Sequence, residues 1–165
     1  GRAPVTMQNA ERAVLSRLRA MCEEDFARYD SGNEGLYRRF YDAARTAASV
    51  DELLSAVKTK RYAYARLRRM LLAAYLDVTA ADVPPEAPYL RVLACNERGR
   101  KLLKTIKKTG SAPVLTKSAD VRALSEEAQK LFALTARAAD QYVLAYPELR
   151  AARGSSAWTE GPVIV

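Results

Sequence analysis

The sequence predicts a mainly α fold, a helical domain with a small strand–helix–strand (βαβ-like) insertion. Three observations predict it. Apolar residues recur at helical spacing through most of the chain. One stiff stretch, Val83-Pro84-Pro85-Glu86-Ala87-Pro88, interrupts that pattern. Beyond it, two short runs rich in branched or aromatic residues bracket an amphipathic segment, the order that gives a right-handed parallel pair.

The elements follow in order. Val14, Leu15, Leu18 and Met21 predict a first helix over 9–21, with Asn9 as its N-cap and Glu11 in its first turn. Glu23–Tyr29 extends that helix or forms a second one, and the turn formers Asp30-Ser31-Gly32-Asn33 break it. Leu36, Phe40, Ala43, Ala44 and Ala47 form the stripe of a helix over 36–48. Ser49-Val50-Asp51-Glu52 reads as a capping box opening a short helix through Leu53, Leu54 and Val57.

A helix over 62–76 comes next, with Tyr64, Leu67, Met70, Leu71, Ala74 and Val78 on one face. Leu72 and Leu76 make its end apolar nearly all round, which predicts burial there. After the Pro-rich connector, Tyr89–Cys95 reads as a strand. Asn96 caps a helix to Thr109 that Gly110 closes. Leu102, Leu103 and Ile106 cluster on one side of that helix, with Arg100, Lys101, Lys104, Lys107 and Lys108 opposite. Pro113–Thr116 is the second strand. Ser125 caps an Ala-rich helix to about Tyr146, ended by Pro147, and Val163–Val165 can form a final strand.

With 165 residues, 49% of them apolar, the chain can bury a real core. The expected organisation is leading or linker residues at 1–8, one mostly helical RNA-binding domain over 9–153, and a tail over 154–165. The chain starts at Gly1 and not Met, as an excised piece of a longer protein would. No apolar run is long enough to cross a bilayer and no signal peptide is visible. Cys22 and Cys95 sit in unrelated contexts, so a cytoplasmic protein with reduced, buried thiols is expected.

Charge is what points to a partner. Between Lys58 and Lys108 thirteen Lys/Arg stand against four Asp/Glu, a surplus of thirteen less four, whereas the remainder holds fourteen against fifteen. The whole net charge of +8 therefore comes from the middle third. A concentrated cationic field steers an anionic partner. In Lys58–Arg69 six cations interleave with Tyr62 and Tyr64, which suits phosphates and flat bases together. Nucleic acid is favoured over an anionic membrane surface.

Composition also excludes chemistry. The chain contains no histidine, which removes Ser-His-Asp and Cys-His arrangements, and two separated cysteines cannot complete a zinc shell. Gly32, Gly35 and Gly99 fit no phosphate-loop or dinucleotide pattern. The acidic pairs Glu23–Glu24–Asp25 and Glu126–Glu127 belong to first helical turns, where the helix dipole favours them. No catalytic or metal-ligating residue is expected.

Ser49–Leu72 (SVDELLSAVKTKRYAYARLRRMLL), Pro88–Lys108 (PYLRVLACNERGRKLLKTIKK) and Pro113–Lys117 (PVLTK) resemble the C-terminal half of bacterial tRNA(Met) cytidine acetate ligase. Glu23–Phe26, Glu34-Gly35-Leu36, Asp140–Pro147 and Pro162-Val163-Ile164-Val165 agree in the same order. The departures are Ala94-Cys95, where Gly and a larger apolar residue are expected, and the missing histidines of the family's N-terminal H-x-G-H motif.

That resemblance implies an enzyme that activates acetate with ATP and Mg and transfers it to N4 of the wobble cytidine of elongator tRNA(Met). It assigns to this chain the holding of the tRNA near its anticodon, with no chemistry and no cofactor of its own, beside a missing N-terminal nucleotidyltransferase domain. Lys58, Lys60, Arg61, Arg66 and Arg69 would form one phosphate track and Lys104, Lys107 and Lys108 a second. Tyr62 or Tyr64 would stack on a base, although Tyr64 also belongs to its helix's apolar stripe. The alternative is a protein-interaction or scaffold module that docks a nucleotidyltransferase domain or an acidic partner through the same basic faces.

Overall fold

The structure, a computed structural model, describes residues 7–30, 32, 35–143 and 161–165. It is helix-rich with a few short parallel strands. Where the sequence suggests one domain over 9–153, the chain divides into two compact units, Gly1–Ala80 with Gln141–Ala152 and Ala81–Asp140 with Arg153–Val165.

The first unit packs α1 (Met7–Arg19), α2 (Glu23–Ala27), α3 (Leu36–Thr46), α4 (Val50–Val57) and α5 (Tyr64–Leu76). Val14, Leu18, Leu36, Phe40, Leu53, Val57 and Leu67, which the helical spacing marks, are fully buried together with Phe26, and Phe26 and Phe40 stack at 6.4 Å between centroids. Several of its arginines serve the backbone. Arg19 donates to the carbonyls of Ala44 (3.0 Å) and Ala47 (2.7 Å), and Arg45 donates to those of Leu18 (2.7 Å) and Met21 (3.1 Å). Each of α1 and α3 thus has its orphan C-terminal carbonyls satisfied by the other.

Two caps differ from expectation. α1 starts at Met7, which places Asn9 inside the helix and not at its cap. At α4, Ser49 Oγ accepts from the Glu52 N–H at 3.0 Å as expected, but Glu52 reaches one residue further back, accepting from the Ala48 N–H at 2.9 Å. Ser49→Ala should therefore cost about 1 kcal/mol, read as a lower midpoint of urea unfolding; an unshifted midpoint would show that the Glu52 bond carries the cap alone.

The end of α5 is not sealed. Leu72 is 42% exposed and Leu76 half-buried. The helix closes on Asp77, a non-glycine at φ +55°. The Tyr29 hydroxyl donates to the Asp77 carboxylate, with Arg17 and Arg28 3.8 and 3.7 Å away.

The second unit begins with one 3-10 turn at Ala80–Asp82 and the irregular Pro-rich stretch. The predicted strand over 89–95 is two: β1 (Leu90–Arg91) and β2 (Ala94–Cys95). The run changes partner at Val92–Leu93. β1 pairs in parallel with β3 (Val114–Leu115), and β2 pairs in parallel with β4 (Val163–Ile164), which confirms the final strand. Between β2 and β3 lies α6 (Glu97–Thr109), capped by Asn96, whose Oδ1 accepts from the Gly99 N–H at 2.8 Å.

A 3-10 segment, Ser118–Ala123, leads to α7 (Glu126–Val143), whose N-terminus Ser125 Oγ caps through the Ala128 N–H at 3.3 Å. Leu115, Leu124, Ala128, Phe132 and Ala136 form the core here. α6 buries none of its residues: Leu102 is 52% and Ile106 42% exposed, so its apolar face is uncovered among the described residues. Cys22 is exposed, Cys95 half-buried, and both are free thiols, so neither is the buried thiol expected. The predicted Ser31 and Asn33 turn residues, Tyr146 and Pro147 lie outside the described residues.

Candidate nucleic-acid interface

The cations around α5 divide into engaged and open ones. Arg66 Nη2 lies 3.3 Å from Asp30 Oδ1, whose side chain is only 2% exposed. That carboxylate also accepts from the backbone N–H groups of Gly32 (3.0 Å) and Tyr37 (3.2 Å). A Cβ at Gly32 would meet Arg66 Nη2, so a larger residue there would displace the end of that side chain. Arg66 therefore ties Asp30 to α5, a structural role beside its expected place in the first phosphate track.

Lys58 is half-buried, donates to the Thr59 carbonyl at 2.7 Å and sits 5.6 Å from the Tyr64 ring centroid. Lys60, Arg61 and Arg69 are exposed and have no carboxylate partner among the described residues. The two tyrosines reverse their expected places. The helix starts at Tyr64, so Tyr62 falls in the turn before it and folds inward at 4% exposure against Arg66, 5.3 Å away. A base cannot stack on a ring so buried. Tyr64 stands 43% exposed instead of lining the core.

On α6 a similar sorting occurs. Lys107 Nζ donates to Asp120 Oδ2 and Thr116 Oγ1, each at 2.7 Å. The same Asp120 oxygen accepts from Thr116 N–H at 2.8 Å and Oγ1 at 3.1 Å and from Lys117 N–H at 3.3 Å. Burial alone would raise this carboxyl's pKa; Lys107 and Thr116 outweigh it and bring it down to about 2. Lys107 is thus a clasp between α6 and the segment after β3, a structural role beside its expected place in the second phosphate track. Lys104 and Lys108 remain exposed without carboxylate partners among the described residues. α5 and α6 belong to different units.

A concavity of about 390 Å³ in the second unit is lined by Pro84, Pro88, Ala128, Leu131 and Leu134, with Lys130 and Arg137 among its cations. A second, of about 280 Å³, lies between α4 and α5 in the first unit.

The HIGH nucleotidyl transferase family model matches residues 1–156. This chain belongs to that family. It is 37% identical to the tRNA(Met) cytidine acetate ligase of Fervidobacterium nodosum across 81% of its own length and 32% of the relative's. It is 30% identical to the enzyme of that name from Acetivibrio thermocellus across its whole length and 41% of the relative's. Solved structures of Thermotoga maritima TmcAL, apo and bound with alpha-thio ATP, superpose on all of the chain with TM-scores of 0.88 at 25% identity, covering 42% and 43% of the solved chains. The chain spans about a third to two-fifths of the length of these relatives.

Family membership corrects three expectations. The chain is not a C-terminal half standing outside the nucleotidyltransferase pattern, because the family's own model matches it from 1 to 156. The RNA-holding module without chemistry, and the scaffold docked to a missing N-terminal nucleotidyltransferase domain, fall with that cut. So does the expectation of no cofactor, since a solved relative that superposes on the whole chain carries alpha-thio ATP. The composition is unchanged by this: no histidine, and hence no H-x-G-H sequence, occurs in the 165 residues.

ATP can be tested against the residues described. The larger concavity offers apolar walls, two cations, Lys130 and Arg137, and two carboxylates, Asp82 and Glu127, with Lys130 2.8 Å from Glu126. No group of three or more His, Cys, Asp or Glu among the described residues could hold a metal ion. The apolar walls suit a flat base, whereas the two carboxylates offset the two cations and leave no net positive charge for a triphosphate.

Proposed function

We propose that this chain works within an ATP-dependent ligase of the tRNA(Met) cytidine acetate ligase kind, which joins acetate to a cytidine of tRNA(Met). Its open cations meet the tRNA: Lys60, Arg61 and Arg69 on one unit, Lys104 and Lys108 on the other, with Lys58 supporting the first group. The observation that carries this reading is the sorting of charge. Arg19, Arg45, Arg66 and Lys107 are consumed by carbonyls or carboxylates, while these five cations stay exposed with no carboxylate among the described residues. Retaining such a field unpaired favours a polyanion. Relatives named tRNA(Met) cytidine acetate ligase support tRNA as that polyanion. No described helix is long and apolar enough to cross a membrane.

Filter binding of the 165-residue chain to a tRNA(Met) transcript at rising salt tests this. Each neutralised phosphate contributes roughly −0.7 to −0.9 to the log–log slope. The expected slope lies between roughly −2, if only the α5 cations engage, and roughly −4.5, if all five do. A slope shallower than about −1 would remove the electrostatic basis of the proposal.

A further inference from the structure

Tyr64, Arg68 and Leu72 stand four residues apart along α5 and so share one face. Arg68 Cζ lies 6.0 Å from the Tyr64 ring centroid, and Lys58 approaches the same ring. Arg68 and Leu72 then line the 280 Å³ depression between α4 and α5, whose other walls are Val50, Leu54 and Leu71, with Asp51 on its rim. The result is a continuous strip of aromatic ring, guanidinium plane and apolar hollow. None of the three side chains on this strip serves the core: Tyr64, Arg68 and Leu72 are all exposed. Neither Arg68 nor Asp51 is ion-paired among the described residues.

We propose that this strip is a subsite for one unpaired base of the RNA. The inference rests on the reading that the neighbouring cations meet tRNA. Bases splayed out of a stem stack on aromatic rings and guanidinium planes, which a paired base cannot do because its faces are covered. Lys60 and Arg61, shortly before Tyr64 in the chain, hold the adjoining backbone. Asp51 is acceptor-only when ionised, so it selects bases that present an exocyclic amino group, as carboxylates accept from cytosine N4, and it disfavours uracil.

The test uses the full 165-residue chain and an anticodon stem-loop of tRNA(Met) carrying 2-aminopurine at one loop position after another. With the unaltered chain, 2-aminopurine fluorescence at one position should fall on binding. Tyr64→Ala should abolish that quench and weaken binding about 5- to 20-fold with an unchanged salt slope, because every phosphate is still neutralised. Tyr64→Phe should keep both. Tyr64→Leu, which preserves apolar surface without a flat ring, should behave like the alanine variant and guards against a folding defect.

Asp51→Asn should reduce the preference for cytosine over uracil at the quenched position. Salt-dependent binding that Tyr64→Ala and Tyr64→Leu leave untouched would overturn the subsite alone. Absence of salt-dependent binding by the unaltered chain would overturn the proposed function itself.

Discussion

Reversing Lys60, Arg61 and Arg69 to glutamate together is expected to weaken tRNA binding at least a hundredfold. Each phosphate left without its cation removes roughly 0.8 from the salt slope, which at ~0.15 M salt is about two-thirds of a decade in affinity. Three such cations therefore account for about two decades, and the three new carboxylates add repulsion. The slope itself should fall by roughly 2 to 2.7. None of the three side chains is used by the fold, since all are exposed and lack carboxylate partners among the described residues, so thermal unfolding should be unchanged.

Arg12→Glu, which alters an exposed cation on α1, serves as the control for general charge and should leave both slope and affinity close to the parent. Arg66→Glu should differ from both, because it places a second carboxylate against the buried Asp30 and so destabilises the first unit. Equal binding by the triple variant and the parent, with both folded, would place the RNA elsewhere on the molecule.

What sequence could show here was local. The Asn96 cap, the Ser49 cap and the amphipathic α6 depend on residues close together in the chain, and the parallel pair around α6 follows from the strand–helix–strand order; each is present. The fate of individual cations depended on distant partners. Arg66 meets Asp30 across 36 residues and Lys107 meets Asp120 across 13, and no periodicity signals either.

The Tyr62 and Tyr64 reversal has a smaller cause. Starting the helix two residues later moves Tyr62 out of the helical projection and into a turn, where it folds inward. The expected place of the chain in the C-terminal half of its family fails for another reason. Missing histidines do not put a chain outside the nucleotidyltransferase pattern, because a family is carried by the pattern of the whole chain and the match runs over residues 1–156.

Asp120→Asn is expected to loosen the second unit by about 2 kcal/mol at neutral pH without weakening RNA binding. α6 has no buried residue, so its seat depends on its cap, its strand neighbours and the Lys107–Asp120–Thr116 clasp. A carboxyl lowered from about 3.9 unfolded to about 2 folded stabilises by that amount once ionised in both states. Because the folded pKa is the depressed one, the contribution is complete above about pH 5. It decays as pH falls through the interval between the two values and is gone below about pH 2.

Denaturant unfolding at pH 7 and at pH 3 reads this directly. The parent should lose stability between the two, and the asparagine variant, already without the charge, should lose less. Freed from its carboxylate, Lys107 becomes a fourth open cation on α6's basic face beside Lys101, Lys104 and Lys108. The salt slope of tRNA binding should therefore stay the same or steepen by roughly 0.8. A slope that became shallower in Asp120→Asn would mean that Lys107 touches RNA while clasped, and that its pairing with Asp120 positions it for the substrate instead of withholding it.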